Sequence, residues 1–307
     1  MPTQHAPKRI RGHQRDIHPP PSNPSNDHHP AEVDEEPKPL GQEAPEVVED
    51  AAQIGDKRLH RSHAGSAITS LIGGMSVTFG AVAMAWAAAS FGGGVAEPSV
   101  AHFVGALVFP VGFIILLVGK SELFTENFFL PVTAVLERRG SLVQLGELWG
   151  ISLASNLVGG AIFAFLITRP GVLAPAVADE LIALADHKLH DPFWTALIKA
   201  IFAGWLMTML TWLLVAAVGF GVAAVGFGPR LAIIWTMATL IVLAQFNHVV
   251  ISAVEMFMAM FFGAPITLST WLTRNFLPAL AGNVLGGVVF VTLLTRVQAH
   301  VHEPAPR

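Results

Sequence analysis

The residues able to do chemistry in this sequence are polar groups set inside long apolar stretches. Lys120, Glu122 and Glu126 interrupt a stretch that runs from Ala101 to Leu136. Gln245-Phe246-Asn247-His248, followed by Ser252 and Glu255, interrupt another. A charge at the depth of a membrane core costs about 2.5–3.5 kcal/mol on insertion scales, so such groups face protein or water, not lipid. Irregular backbone at that depth is likewise confined to places buried in protein or lining a cavity. Both stretches therefore predict a broken transmembrane helix, the first at 119–127 and the second around His248. His248 is the sharpest of these residues. An imidazole with its unperturbed pKa of about 6.5 changes charge close to neutral pH. In an apolar vestibule an arriving anion and a proton on the ring stabilise each other, which makes His248 a candidate positive site, or proton source, for a weak-acid anion. The competing role is that of a packing histidine hydrogen-bonded to a neighbouring helix.

The elements that must position these groups follow from composition. The chain has 307 residues, 52% of them hydrophobic and 13% charged, with a mean hydropathy of +0.56. Soluble domains carry about 25% charged residues, so this is a membrane composition. Residues 1–62 hold 8 of the 18 Lys+Arg and 11 of the 22 Asp+Glu, which leaves the remainder sparsely charged. A net charge of -4 with both signs mixed in the arm argues against nucleic acid as a partner. The sequence has no cysteine, which excludes a disulfide framework and a thiolate metal site. The histidines of the arm have no ligand spacing, so neither a metal nor a cofactor is expected.

Residues 1–45 read as a disordered polar arm, with a Pro-rich stretch at 18–24 and an acidic run at 32–36. Residues 46–64 read as a lead-in helix on the cytoplasmic side, 65–298 as the membrane domain and 299–307 as a cytoplasmic tail. The polar beginning is unlike a cleavable signal peptide. Six hydrophobic segments fall at 65–91, 100–136, 145–168, 193–218, 230–263 and 271–296, each near or above the ~20 residues that a spanning helix needs. Lys57, Arg58, Arg61, Arg138, Arg139, Arg230 and Arg296 fall in one alternating set of flanks, against Arg169, Lys188 and Arg274 in the other. The excess of basic residues puts both termini in the cytoplasm.

The sequence also repeats itself. Residues 155–169 match residues 282–296 at seven of fifteen positions, 127 residues apart, with Asn156 meeting Asn283 and Gly159-Gly160 meeting Gly286-Gly287. At the same offset the two breaks superpose and Thr125 meets Ser252. Each repeat holds three spans, an odd number, so the second must insert upside down relative to the first. Two inverted three-helix repeats whose second and fifth helices are broken near the midplane are a common build of a transport site.

Four motifs carry a resemblance to a known family. They are Glu122-Leu123-Phe124-Thr125 in the first break, Ala185-Asp186-His187-Lys188 before the fourth span, Phe246-Asn247-His248 in the second break, and Gly282-Asn283-Val284-Leu285-Gly286-Gly287 in the sixth span. In this order, over residues 50–298, the sequence resembles the formate/nitrite transporter family, and within it the subgroup with long polar N-terminal arms. The resemblance implies an all-α, aquaporin-like fold of six spans, assembly as a homopentamer in a bacterial-type plasma membrane, and a separate pore in each protomer for small monovalent anions, with protons as co-partners.

The resemblance also distributes roles. Thr125 and Asn283 are expected to hold the His248 ring and fix its tautomer, and Asn156 is the repeat partner of Asn283, with a substrate role or a backbone-satisfying one. Lys188, in an otherwise acidic loop, is expected to attract the anion at the pore mouth. Asn247 stands where family members often have an acidic residue, and Gly204 where the formate channel has Asn. Phe109 and Phe113 occupy the family's constriction positions, with Leu123, Phe124, Ile241 and Met207 as further candidates. Glu122 is expected to accept backbone N–H bonds or pair with Lys120, and Glu126 to start a half-helix. Three other functions were weighed. An aquaporin-like pore for neutral solutes would carry Asn-Pro-Ala at the breaks, and the sequence has none there. An intramembrane hydrolase would need a motif such as Gly-x-Ser-x-Gly, also absent. A non-conducting membrane sensor or scaffold stays open.

Overall fold

The computed structural model describes residues 42–217 and 227–301. The greater part of the expected polar arm and the last residues of the tail lie outside the described residues. Among those described, the regular structure is entirely helical. In chain order the helices are α1 (Ala44–Leu59), α2 (His63–Ser90), α3 (Val100–Val118), α4 (Phe124–Leu136), α5 (Leu142–Ile167), α6 (Pro175–His190), α7 (Phe193–Ala216), α8 (Phe227–Leu243), α9 (Val249–Phe261) and α10 (Leu268–Val301). Five of them, α2, α3, α5, α7 and α10, are long and apolar enough to cross a membrane. Shorter apolar helices are α4, α9 and residues 228–243 of α8.

Local sequence explains where the helices start. Ser62, Ser99, Ser141 and Thr267 each cap a helix, their hydroxyl oxygens accepting the N–H of residue 65, 102, 144 or 270 at 3.0–3.2 Å. Ser141 and Gln144 form a reciprocal capping box that opens α5. The α2–α3 connection turns on Gly92, Gly93 and Gly94, all at positive φ, a conformation that only glycine adopts without strain. One segment read as a loop from its acidic composition is helical. In α6, Pro175 supplies a ready-made first turn. Val177, Leu181 and Leu184, spaced on one helical face, are buried against the membrane helices.

Two long pairs form the frame, α2 against α5 and α7 against α10, and the same small residues let each pair approach. A Cβ on Gly74 would strike the backbone of Asn156, and one on Gly159 that of Leu71. In the other pair a Cβ on Gly204 would strike the backbone of Asn283, and one on Gly286 that of Ile201. Such close approach is the usual use of small residues between membrane helices. It also accounts for glycine at 204, because no side chain fits against Asn283 there. α1 lies across α4 and is fixed at two points. The Glu49 carboxylate accepts from Arg139 at 2.6 Å in its first half, and Arg58 near its end donates to Glu126 and Asn127 in the first turn of α4. The hydrogen bond to Arg139 holds the exposed Glu49 carboxyl below its usual range.

Candidate functional site: a threonine–histidine pair between two helix interruptions

Residues 119–123 leave the helical hydrogen-bond pattern between α3 and α4, and residues 244–248 leave it between α8 and α9. The two interruptions are built alike. Lys120 and Gln245 both take positive φ, at 60 and 53 degrees. Just beyond them, Ser121 N–H closes onto Leu116 O at 3.1 Å and Phe246 N–H onto Ile241 O at 2.9 Å. Glu122 N–H then turns to Thr69 O of α2, and Asn247 N–H to Lys199 O of α7, both at 3.4 Å. Leu123 and His248 are extended, and the next helix begins.

Asn156 of α5 and Asn283 of α10 complete the arrangement. Asn156 Oδ1 accepts Phe124 N–H at 2.7 Å while its amide donates to Glu122 O at 3.0 Å. Asn283 Oδ1 accepts Val249 N–H at 2.8 Å while its amide donates to Asn247 O at 2.9 Å and to Ala200 O at 2.8 Å. Each asparagine thus satisfies backbone groups left open beside the start of the next helix. Asn283 therefore holds the backbone on both sides of His248, not the ring as the sequence suggested. The register differs too. The asparagines are 127 residues apart, but the interruptions match at 125, so Leu123 corresponds to His248 and Thr125 to Val250. Two more residues separate His248 from Asn283 than Leu123 from Asn156, and the sequence match in α5 and α10 gives no sign of them.

The His248 ring is fully buried and joins the two interruptions. Nε2 lies 2.8 Å from Thr125 Oγ1, and Nδ1 accepts Ile251 N–H at 3.3 Å, capping α9. A nitrogen facing a backbone N–H must be the acceptor, so the hydrogen of this ring sits on Nε2 and is donated to Thr125. Thr125 keeps a hydroxyl hydrogen that no other acceptor holds among the described residues.

The expected constriction residues Phe109, Phe113, Leu123, Phe124, Ile241 and Met207 are all buried and fall in one hydrophobic cluster with Val249, Val250 and Ile251. The Phe109 and Phe113 rings lie 5.8 Å apart. Asn247 is buried, and its Oδ1 lies 3.4 Å from Asn275 Nδ2 of α10. Lys188 is not an open charge at a mouth. It is buried and ion-paired with Glu255 of α9, a residue for which the sequence suggested no role. A small cavity of about 20 Å³, lined by both of them with His102, His187, Gln245 and Ile241, lies there.

On the α1 side the sequence missed a cluster. Glu122 pairs with Arg61 at 2.8 Å and with Arg58 at 3.3 Å, in place of the expected Lys120. Arg58 also reaches Glu126 at 3.2 Å and Asn127 Oδ1 at 2.9 Å. The other carboxylate oxygen of Glu126 accepts Leu123 N–H at 2.9 Å, so it does start the next helix. A cavity of about 700 Å³ opens beside this cluster, lined also by Lys57, Lys120 and Arg230.

The family model described as formate/nitrite transporter matches residues 45–297, the whole of this helical arrangement. The chain belongs to the formate/nitrite transporter family. The chain is 30% identical over 206 residues to the uncharacterized transporter YrhG of Bacillus subtilis (strain 168), covering 66% of this chain and 73% of that protein. It is 28% identical over 196 residues to the formate channel BtFdhC of Bacillus thuringiensis, covering 63% and 71%. Its fold matches that of an FNT family ion channel with a TM-score of 0.72 at 20% identity, over 82% of this chain and 98% of the other. A pentameric formate channel with formate bound matches with a TM-score of 0.62 at 19% identity, over 77% and 97%. This member of the family is thus an integral membrane protein of a transporter family.

Proposed function

We propose that this transporter passes small monovalent weak-acid anions, formate and nitrite among them, through a pore in each protomer of a homopentamer. In this reading α3–α4 and α8–α9 are the second and fifth of six spans. Each is broken at its interruption, and the two halves of the domain are inverted repeats. The support is the same hydrogen-bond pattern at both breaks, Lys120 to Phe124 and Gln245 to Val249, together with the matching glycine contacts of the two helix pairs. Both termini face the cytoplasm, and the α1 side, with its basic residues, is the cytoplasmic one.

One observation carries the functional part: Thr125 and His248 share a hydrogen bond in the middle of an apolar cluster. A bare anion crossing that cluster would lose its hydration, at a cost of many kcal/mol. The pair offers what would reduce this, a hydroxyl donor backed by a ring that binds a proton. A proton taken up at Nδ1, in place of the Ile251 N–H hydrogen bond, charges the ring; an anion then takes the Thr125 hydroxyl hydrogen, Nε2–H passes to Thr125 Oγ1, and the acid leaves neutral with the ring neutral again. Lys188 and Glu255 on one side and the basic groups on the other are the approaches. Asn156, Asn283 and Asn247 shape the backbone around the pair. An anion panel in proteoliposomes tests the reading. Formate and nitrite should equilibrate faster at pH 5.5 than at pH 7.5, while sulfate and glycerol stay excluded. Passage of glycerol would favour a neutral-solute pore, and no flux at all a non-conducting scaffold.

A further inference from the structure

His102 stands at the start of α3, on the face opposite α1, and is not part of the site described above. Its ring is buried, and both nitrogens face carbonyl oxygens. Nδ1 is 2.8 Å from Val95 O in the α2–α3 connection, and Nε2 is 3.1 Å from Leu243 O at the end of α8. A neutral imidazole carries one N–H and one lone pair, so it satisfies one of these carbonyls and turns a lone pair to the other. Only the doubly protonated ring donates to both.

The setting suits a cation. Leu243 is the last residue of α8, where unsatisfied carbonyls carry the negative end of the helix dipole. The N–H that would continue the helix onto Leu243 O belongs to Asn247, and it goes to Lys199 O instead. Gln245, inside the second interruption, makes a parallel tie, its amide donating to Ala96 O at 2.8 Å. The connection is held from its other side by Glu180 of α6, whose carboxylate accepts Gly94 N–H and Val95 N–H at 2.7–3.1 Å. The charged and titratable groups around the ring are Lys188, His187 and Glu255 across the small cavity, Glu97 beside His187 at 3.9 Å, and Glu180. Lys188 is itself ion-paired with Glu255.

We infer that His102 is a second proton-binding site, charged when it bridges Val95 and Leu243, that ties the α2–α3 connection to the head of the second break. Loss of that proton leaves one of the two carbonyls unpaired and frees one end of the tie. The pH of this face thereby reaches Gln245-Phe246-Asn247, one residue short of His248, through hydrogen bonds that do not involve the Thr125–His248 pair. The inference does not depend on the role given to that pair.

Nitrogen-15 spectroscopy of histidine-labelled full-length protein in lipid nanodiscs tests it. The His102 signal is assigned by its loss in His102→Gln, or, should that variant not assemble, by dipolar coupling of the ring to carbon-13 in the Val95 carbonyl. At pH 5.5 both His102 nitrogens should carry hydrogens. A lone pair on one nitrogen at every pH between 5 and 8 would overturn the inference. Flux with the pH varied on this face alone gives the second readout. Wild type and His102→Gln should differ in that one-sided profile, and coinciding profiles would overturn the tie to the break.

Discussion

At the scale of the residue, the account turns on a single hydroxyl. Thr125 Oγ1 is buried and stands 2.8 Å from His248 Nε2. Valine has the same shape without the hydroxyl, so Thr125→Val removes a donor and leaves Nε2–H unsatisfied. A buried polar group left unpaired costs about 1–3 kcal/mol. If that cost falls on the transition state for crossing, formate flux in proteoliposomes should drop about tenfold to a hundredfold. The detergent-solubilised assembly should keep its size. Undiminished flux would remove Thr125 from the site. That His248 is held by polar partners inside an apolar surrounding could be read from the sequence, because a titratable ring in an apolar stretch needs a reason to be there. Of its partners, Thr125 came with the family resemblance and is in place, whereas the Ile251 N–H was not foreseen. Asn283 was visible only as a repeated asparagine, and nothing local says whether its amide meets a ring or a backbone.

At the scale of the element, the positions of the irregular segments at 119–123 and 244–248 were legible and their fastenings were not. Charges in an apolar run mark a break without any knowledge of the fold, whereas the pairing of Arg58 with Glu122 and Glu126 joins residues more than sixty positions apart. The same holds for Lys188 and Glu255. The register of the breaks was misjudged by two residues because the recognisable repeat lies in α5 and α10, while the break sequences themselves have diverged. Arg58→Ala should strand the buried Glu126 carboxylate and leave Glu122 to Arg61 alone, and breaking such a network costs about 3–5 kcal/mol. Thermal unfolding in detergent should shift down accordingly, and Arg58→Lys should recover only part of the loss because an ammonium lacks the fork that meets Glu122, Glu126 and Asn127 together. An unchanged melting temperature in Arg58→Ala would show that α1 is not fastened there.

The other fastening of α1 is exposed and weaker. The Arg139 hydrogen bond lowers the Glu49 carboxyl in the folded state, so its contribution is present above the carboxylate's unfolded range and is lost as the pH falls through the folded value. Solvent screening keeps the effect small. Glu49→Gln should therefore flatten slightly the acid limb of a stability–pH curve and leave neutral stability nearly unchanged. A steeper acid limb in the variant would contradict the sign.

At the scale of the whole molecule, the fold class, the apolar segments and the family resemblance were carried by composition and by four short motifs. The helical nature of residues 175–190 was hidden behind their acidic character. Assembly is a matter between copies of the chain, and α2, α5, α7 and α10 keep large apolar side chains such as Trp86, Phe165, Trp205 and Phe290 on their outer faces for lipid or for a neighbour. Light scattering of the solubilised protein should give five chains per particle, and a monomeric mass would remove the pentamer from the account.

The most direct test of the central claim follows proton and anion together. Liposomes holding the wild-type protein and an internal pH indicator are given an inward formate gradient at clamped membrane voltage. If the anion crosses as the neutral acid at the Thr125–His248 pair, the interior should acidify in step with formate uptake, and His248→Phe should abolish or uncouple that acidification. Formate uptake with no internal acidification, or an unchanged record in His248→Phe, would contradict the account.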